Sequence, residues 1–227
     1  IMGALIDRFD DQYGNTLVLG EGDSFIPGPW LVAGADPSLN ALLGTTALAR
    51  PDIAIMNAFG TDASALGNHE FDLGSPVLSG AFAPSGSGAT AWAGAQFPFI
   101  TANLTFADDG SLRGLADQSL GGTAGSAFAG QEVTAVRAKI APYATFTSGG
   151  ERIGLVGLTT WELLSKSAPN GTRPLDDNNP ATSDLQEVAN YVQGAVDALR
   201  AMGINKIVML DQLDTIQRNK DLAPLVS

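Results

Sequence analysis

The feature that most constrains the fold is a pattern found twice in the first third of the chain. A short predicted strand runs into a turn that contains glycine and polar residues. Residues 16–19 lead to Asp23, and residues 61–66 lead to Asn68 and His69. Open α/β sheets carry their binding residues beyond the carboxyl ends of the strands. These polar side chains are therefore candidate site residues, although Asp23 alone is equally typical of a helix cap or a turn.

A helix is predicted between these two strands. Pro51 suits the first turn of a helix that opens at Arg50, and Gly60 is typical of the position that ends one. Strand, helix and strand form a βαβ unit, in which the two strands are parallel. The pattern therefore predicts that Asp23 and Asn68 meet at one edge of a parallel sheet.

Further strands follow along the chain. Ser148-Gly149-Gly150 is a typical turn sequence, so the segments on either side of it predict a hairpin. The last predicted strand leads directly into Asp211, Gln212 and Asp214. With the first two strands included, the predicted strands are residues 16–19, 61–66, 97–104, 139–146, 152–158 and 206–210.

The clearest predicted helix spans about residues 184–202, because its apolar residues recur at helical spacing. Ser183 and Gln186 suit a capping box at its start, and Gly203 suits its end. Residues 4–12 predict the end of a further helix. The segment 27–48, which is rich in proline and glycine, predicts a loop with a short helical piece. The segments 79–95 and 119–130 are rich in glycine and other small residues and predict surface insertions or mobile loops.

The charge balance limits the partners of the chain. Its 227 residues include 12 basic and 24 acidic residues, which give a net charge of -12. Such a surface repels nucleic-acid polymers and anionic membranes, and an acidic protein needs cations to attract a phosphate ester. The chain has no cysteine, which excludes disulfides, thiolate catalysis and cysteine-bound zinc. No stretch approaches the roughly 20 apolar residues of a membrane span.

His69 is the only histidine and lies within the octet Gly-Asn-His-Glu-Phe-Asp-Leu-Gly at residues 67–74. A lone histidine is most often a satisfied loop residue. This octet, however, resembles the signature of calcineurin-like metallophosphoesterases of the 5′-nucleotidase and alkaline phosphatase branch. The resemblance spans most of residues 4–225 outside the segments rich in glycine and alanine. It implies an α/β fold, a four-layer αββα sandwich of the metallo-dependent phosphatase type with Gly/Ala-rich surface insertions.

The resemblance also implies a role for each candidate residue. Asp23 would bridge two divalent metal ions (Mn, Mg, Ca, Zn or Fe), and Asn68 would bind one of them through its carbonyl oxygen. Such ions shield phosphoryl charge and lower the pKa of bound water, so that hydroxide forms near neutral pH. His69 would stabilise the phosphate and act as general acid. Asp72 would orient its imidazole and raise the pKa of that ring.

The chain departs from the family pattern in one internal position. Gln212 stands where a histidine ligand is expected after the strand at 206–210, and its oxygen would favour magnesium, manganese or calcium over zinc. Asp211 or Asp214 could take that place if the register slipped. Two further expected histidine motifs would lie before residue 1 and after residue 227. We therefore expect one catalytic domain over 1–227 that is incomplete at both edges, without a separate substrate-binding domain.

The expected function is metal-dependent hydrolysis of small phosphate esters or nucleotides. The alternative left open is a catalytically impaired relative that serves as a binding or interaction module, and Gln212 favours it. An unrelated acidic domain with a chance octet is a third interpretation, which the other family-like strands oppose. Family members are often exported, so the resemblance implies a periplasmic or extracellular location, although the chain shows no signal peptide.

Overall fold

A computed structural model describes residues 1–117, 127–175 and 185–227. Its helices are α1 Met2–Gln12, α2 Pro29–Ala33, α3 Asn40–Leu43, α4 Arg50–Ala58, α5 Ser75–Phe82, α6 Leu163–Lys166, α7 Leu185–Ala201 and α8 Ile216–Leu222. Its strands are β1 Leu19–Gly20, β2 Ala63–Ala65, β3 Phe99–Ile100, β4 Leu104–Thr105, β5 Ile140–Ala141, β6 Tyr143–Ser148, β7 Glu151–Thr159, β8 Arg173–Pro174 and β9 Ile207–Gln212.

The first sheet is parallel and has the strand order β1-β2-β3-β5. Leu19 pairs with Ala63, and Ser64 pairs with Phe99. Helix α4 connects β1 to β2, and its first turn contains Pro51 as the sequence predicts. The βαβ unit is therefore present, and the turns after β1 and β2 lie at the same edge of the sheet.

The second sheet has the order β6-β7-β9. Strands β6 and β7 form the predicted antiparallel hairpin, and α7 connects to β9, which runs parallel to β7. The register pairs Thr159 with Gln212, so both strands end at the same edge. A short antiparallel pair, β4 with β8, forms a separate ribbon.

Three groups of buried apolar side chains set the layers. One lies between the two sheets and includes Ala63, Ile100 and Leu155. A second packs α2 to α5 onto the parallel sheet, and a third packs α7 and α8 onto the other sheet. The layers therefore run helix, sheet, sheet, helix, which confirms the αββα expectation.

Several local predictions were wrong in detail. Strand β1 has two residues and is half-buried, whereas a longer buried strand was expected. Residues 27–48 contain α2, α3 and a 3-10 turn instead of one short helical piece. The segment 79–95 is exposed at residues 84–91, but Ala81, Phe82, Trp92 and Ala95 are buried, and Trp92 donates a hydrogen bond to the Ala81 carbonyl oxygen at 2.7 Å. Small residues there allow tight packing, which composition alone does not distinguish from a loop.

The long helix agrees with its prediction over the described residues. Helix α7 buries a stripe that includes Val188, Val192 and Leu199, and Gly203 follows with a φ of 80°. The predicted cap at Ser183 and most of the segment 119–130 lie outside the described residues. No helix in the three described ranges has the length and apolar character to cross a bilayer.

Candidate active site

The turns after β1 and β2 and the end of β9 converge on the carboxylate of Asp23. Its Oδ1 accepts a hydrogen bond from the backbone N–H of His69 at 3.0 Å. Its Oδ2 accepts one from Nε2 of Gln212 at 2.8 Å. Asn68 precedes His69 and is buried. The fold thus brings Asp23, Asn68, His69 and Gln212 together from three separate parts of the chain.

Asp23 has an unfavourable backbone conformation, with a φ of 55°. A non-glycine residue in this left-handed region costs of order 1 kcal/mol or more, and such residues often lie at functional sites. The surrounding contacts must therefore hold this loop in place. Gly67 permits the two loops to approach each other, because a Cβ at that position would lie 2.3 Å from Oδ1 of Asp23.

The side chain that holds the Asp23 loop is Glu70. Its Oε2 accepts hydrogen bonds from the backbone N–H groups of Asp23 at 3.0 Å and Gly67 at 2.8 Å. Its Oε1 accepts one from the N–H of Ser24 at 2.5 Å. Burial raises the pKa of Glu70 to about 7, against the opposing effect of these hydrogen bonds. Glu70 therefore joins the loop after β1 to the loop after β2.

The sequence analysis missed the role of Glu70. The residue lies inside the octet, and that position was the one available signal. A carboxylate that binds the backbone amides of a distant loop leaves no spacing pattern, because its partners are peptide groups and not particular side chains.

His69 and Asp72 form a close pair. The two residues are three positions apart in sequence, and the 3-10 turn at His69–Phe71 brings their side chains to the same side of the turn. Nδ1 of His69 and Oδ2 of Asp72 are separated by 2.5 Å. The His69 side chain is 37% exposed and that of Asp72 is 16% exposed. The hydrogen bond to Asp72 is the main cause that raises the pKa of His69, against partial desolvation. This geometry leaves Nε2 of His69 as the nitrogen accessible to a ligand.

Gln212 approaches Asp23 with its nitrogen, whereas the sequence analysis expected it to offer oxygen to a metal. The same Nε2 lies 3.4 Å from Oδ1 of Asp214, and the register of β9 keeps Gln212 as the last strand residue. Its Oε1 is buried and has no hydrogen-bond partner among the described residues. Asn219 has a buried oxygen of the same kind and lines the same pocket of about 290 Å³.

The candidate ligand atoms are of the type that binds a hard divalent cation, but their positions suit such a cation only in part. Asp23, Asn68 and Gln212 offer carboxylate and amide oxygens, the ligands that magnesium, manganese and calcium prefer. The orphaned Oε1 of Gln212 is such a donor. Oδ2 of Asp23, however, is bound by an amide N–H, which a cation would have to displace. The described ranges contain no group of three or more His, Cys, Asp or Glu side chains placed to hold a metal.

Comparisons with known proteins give relatives of one kind. No family model matches the chain. The chain is 29% identical over 178 residues to the trifunctional nucleotide phosphoesterase protein YfkN of Bacillus subtilis (strain 168), covering 75% of this chain and 11% of that protein. It is 30% identical over 161 residues to the snake venom 5′-nucleotidase of Gloydius brevicauda, covering 71% of this chain and 20% of that protein.

A solved structure agrees with these relatives. The 5′-nucleotidase precursor of Thermus thermophilus superposes with a TM-score of 0.62 and 30% identity, over 93% of this chain and 30% of the other. The chain therefore spans no more than a fifth of the two curated relatives and less than a third of this structure.

Proposed function

The chain is homologous to the 5′-nucleotidases and calcineurin-like phosphoesterases, as the octet indicated, and from this relationship we propose that it hydrolyses phosphate esters with the help of divalent cations. The observation that carries the proposal is the assembly of Asp23 with Asn68, His69 and Asp72 at one sheet edge. The proposed substrates are nucleotides or other small phosphate esters, including those of alkaline phosphatase type.

The cation ligands in this proposal are Asp23, Asn68 and Gln212. Two bound divalent cations would shield the phosphoryl oxygens and lower the pKa of a water molecule. The net charge of -12 supports this requirement, since an acidic chain repels a phosphate monoester unless cations are present. Gln212 would first rotate its amide so that Oε1, which has no hydrogen-bond partner in the described parts of the chain, replaces Nε2 beside Asp23.

His69 supplies the proton in this reaction. As water-derived hydroxide forms the new bond to phosphorus, the bond to the leaving oxygen breaks, and Nε2 of His69 donates a proton to that oxygen. Asp72 holds Nδ1 throughout and stabilises the protonated ring. The raised pKa of His69 supports the role, because the ring stays protonated at a higher pH than a free histidine.

The second candidate function is a binding module that retains the fold without turnover. One observation favours it: the amide N–H of Gln212 donates a hydrogen bond to Oδ2 of Asp23, the oxygen that a metal would need. Such a module would bind a nucleotide or phosphate ester at the same sheet edge and release it unchanged.

Two further proposals follow from the relatives. We propose that residues 1–227 act as one metallophosphoesterase-like unit, and the buried cluster between the two sheets, which includes Ala63 and Ile100 of one sheet and Leu155 of the other, supports this. We also propose a periplasmic or extracellular location, which the similarity to a venom 5′-nucleotidase supports.

The test is release of inorganic phosphate from nucleoside monophosphates and p-nitrophenyl phosphate, with and without added manganese or magnesium. His69→Ala and Asp72→Asn should each lower kcat by about 10²–10⁴, the usual contribution of an acid catalyst. Lys206→Ala is the control, because Lys206 pairs with Glu151 at 2.9 Å at the opposite end of the sheet. Unchanged turnover in His69→Ala contradicts the proposal, and nucleotide binding without any phosphate release supports the second candidate.

A further inference from the structure

We infer that Ser167 is a positioning residue for the His69–Asp72 pair, an inference that rests on the proposed function for its catalytic meaning. Oγ of Ser167 donates a hydrogen bond to Oδ1 of Asp72 at 2.7 Å. The other carboxylate oxygen, Oδ2, contacts Nδ1 of His69 at 2.5 Å. The three side chains form one continuous hydrogen-bonded series, with its outer member 95 residues away from Asp72 in sequence.

The contact from Ser167 fixes the carboxylate plane of Asp72. A carboxylate held through one oxygen can rotate about its Cβ–Cγ bond and exchange the oxygen that faces the ring. With Oδ1 bound by a hydroxyl, Oδ2 is the oxygen that remains for His69. The imidazole then keeps a proton on Nδ1 and presents Nε2 to the site, because the hydrogen bond of one ring nitrogen sets the tautomer of the other.

Ser167 is itself held by the segment that follows β7. Its backbone N–H donates to the Leu163 carbonyl oxygen at 3.0 Å, and Leu163 is fully buried. Glu162, just before α6, pairs with Arg218 at 2.7 Å, and the guanidinium of Arg218 lies 4.7 Å from the ring centre of Trp161. The hydroxyl is therefore presented from an anchored turn.

A second contact ties the same segment to the residues that follow the octet. Oδ1 of Asn170 accepts hydrogen bonds from the N–H of Ser75 at 2.9 Å and from its Oγ at 3.3 Å. Gly74 makes room for this approach, since a Cβ there would lie 2.7 Å from Oδ1 of Asn170. Ser167 and Asn170 thus bind both sides of the turn that ends the octet, which keeps the distance from Ser167 to Asp72 short.

The test uses the sole histidine as a spectroscopic probe. In ¹⁵N-labelled full chain treated with a chelator, His69 gives the one set of imidazole signals, and its nitrogen shifts report which ring nitrogen carries the proton. We expect a low-field proton on Nδ1 in the unmodified chain. Ser167→Ala should abolish or broaden that signal and shift the tautomer population toward Nε2, and Ser167→Thr, which restores a hydroxyl, should recover it.

Ser165→Ala is the matched control, because Oγ of Ser165 donates to the Glu162 carbonyl oxygen at 2.8 Å and does not contact Asp72. It should leave the His69 signals unchanged. An unaltered signal in folded Ser167→Ala overturns the inference, as does absence of the signal from the unmodified chain. Failure of Ser167→Thr to recover the signal also overturns it, since packing and not the hydroxyl would then be responsible.

These spectra separate the inference from the proposed function. Loss of the Nδ1 signal in Ser167→Ala supports the positioning role even if no phosphate ester is ever hydrolysed. If the chain does hydrolyse esters, Ser167→Ala should lower kcat with little change in KM, because Ser167 acts on the proton donor and not on substrate binding.

Discussion

Nε2 of Gln212 lies 2.8 Å from Oδ2 of Asp23, across 189 positions of the sequence. With the backbone N–H of His69 on Oδ1, each oxygen of Asp23 has a hydrogen-bond donor from the protein. The carboxylate is therefore stabilised without a cation. A cation that binds Oδ2 of Asp23 would have to displace this contact from Gln212.

Gln212→Glu should couple the stability of the chain to divalent cations. Without cations the substitution removes a hydrogen bond to a carboxylate and adds a third negative charge to those of Asp23 and Asp214, which should cost about 1–3 kcal/mol. Added manganese or magnesium should restore the loss and raise Tm more than in the unmodified chain. Thermal unfolding with a chelator and with each cation measures both effects.

Gln217→Glu is the control for this substitution. Gln217 also donates its amide to a carboxylate, Asp221 at 2.7 Å, but the pair is exposed on α8. Its Tm should change little, with or without cations. An equal response of both variants to manganese would show that the cations bind the acidic surface in general and not the site.

Gly67→Ala should destabilise the chain and displace Asp23. The new methyl group would lie 2.3 Å from Oδ1 and 2.6 Å from the backbone nitrogen of Asp23, so the two loops must separate. Overpacking of this kind costs about 1–3 kcal/mol. Gly80→Ala lies in the last turn of α5, and apart from its chain neighbours and the backbone of its own helix no atom lies within 4 Å of the new carbon, so this substitution should instead stabilise by about 0.5–1 kcal/mol. Denaturant unfolding measures both, and effects of the same sign would contradict the predicted contact.

Glu70→Gln should lower the free energy of unfolding by more than its small change in side-chain shape suggests. Three backbone N–H groups converge on the two oxygens of Glu70, so an amide NH₂ would face a donor and leave it unsatisfied. The expected loss is about 1–3 kcal/mol in the free energy of unfolding. Glu132→Gln is the comparison, because two of its three donors are threonine hydroxyls that can rotate and accept. Equal losses in both variants would exclude a special role for the Glu70 contacts.

Asp72→Asn should lower the pKa of His69 toward its ordinary value. The hydrogen bond to Asp72 is the first cause of the raised pKa, so the protonated ring loses its main stabilising partner. In the unmodified chain this partner stabilises the fold fully below the ordinary histidine pKa, and the contribution is lost as pH rises through the raised folded-state value. NMR titration of the single histidine gives the pKa of His69 in the unmodified chain and in Asp72→Asn. The same midpoint in both would contradict the assignment.

Much of the fold follows from local sequence patterns. Pro51 and Gly60 mark the ends of the α4 region, Ser148-Gly149-Gly150 marks the hairpin, and the apolar spacing of α7 marks its buried face. The contact between His69 and Asp72 is also local, because the two residues are three positions apart and one tight turn brings their side chains to the same side. The meeting of Asp23 with the octet follows from the βαβ rule, which fixes where parallel strands end.

The sequence by itself thus determined the βαβ unit and the sheet edge that carries the site, and the resemblance of the octet to a known family implied the layers and the His69–Asp72 pair. Only the tertiary structure decided that Gln212 turns its nitrogen to Asp23, that Glu70 binds two loops and that Ser167 holds Asp72. The physical reason is the same for all three. Each contact joins segments that meet only after both sheets have formed, through peptide groups, an amide orientation or a single hydroxyl. Such groups occur throughout any sequence, so no spacing in the chain distinguishes them before the fold brings them together.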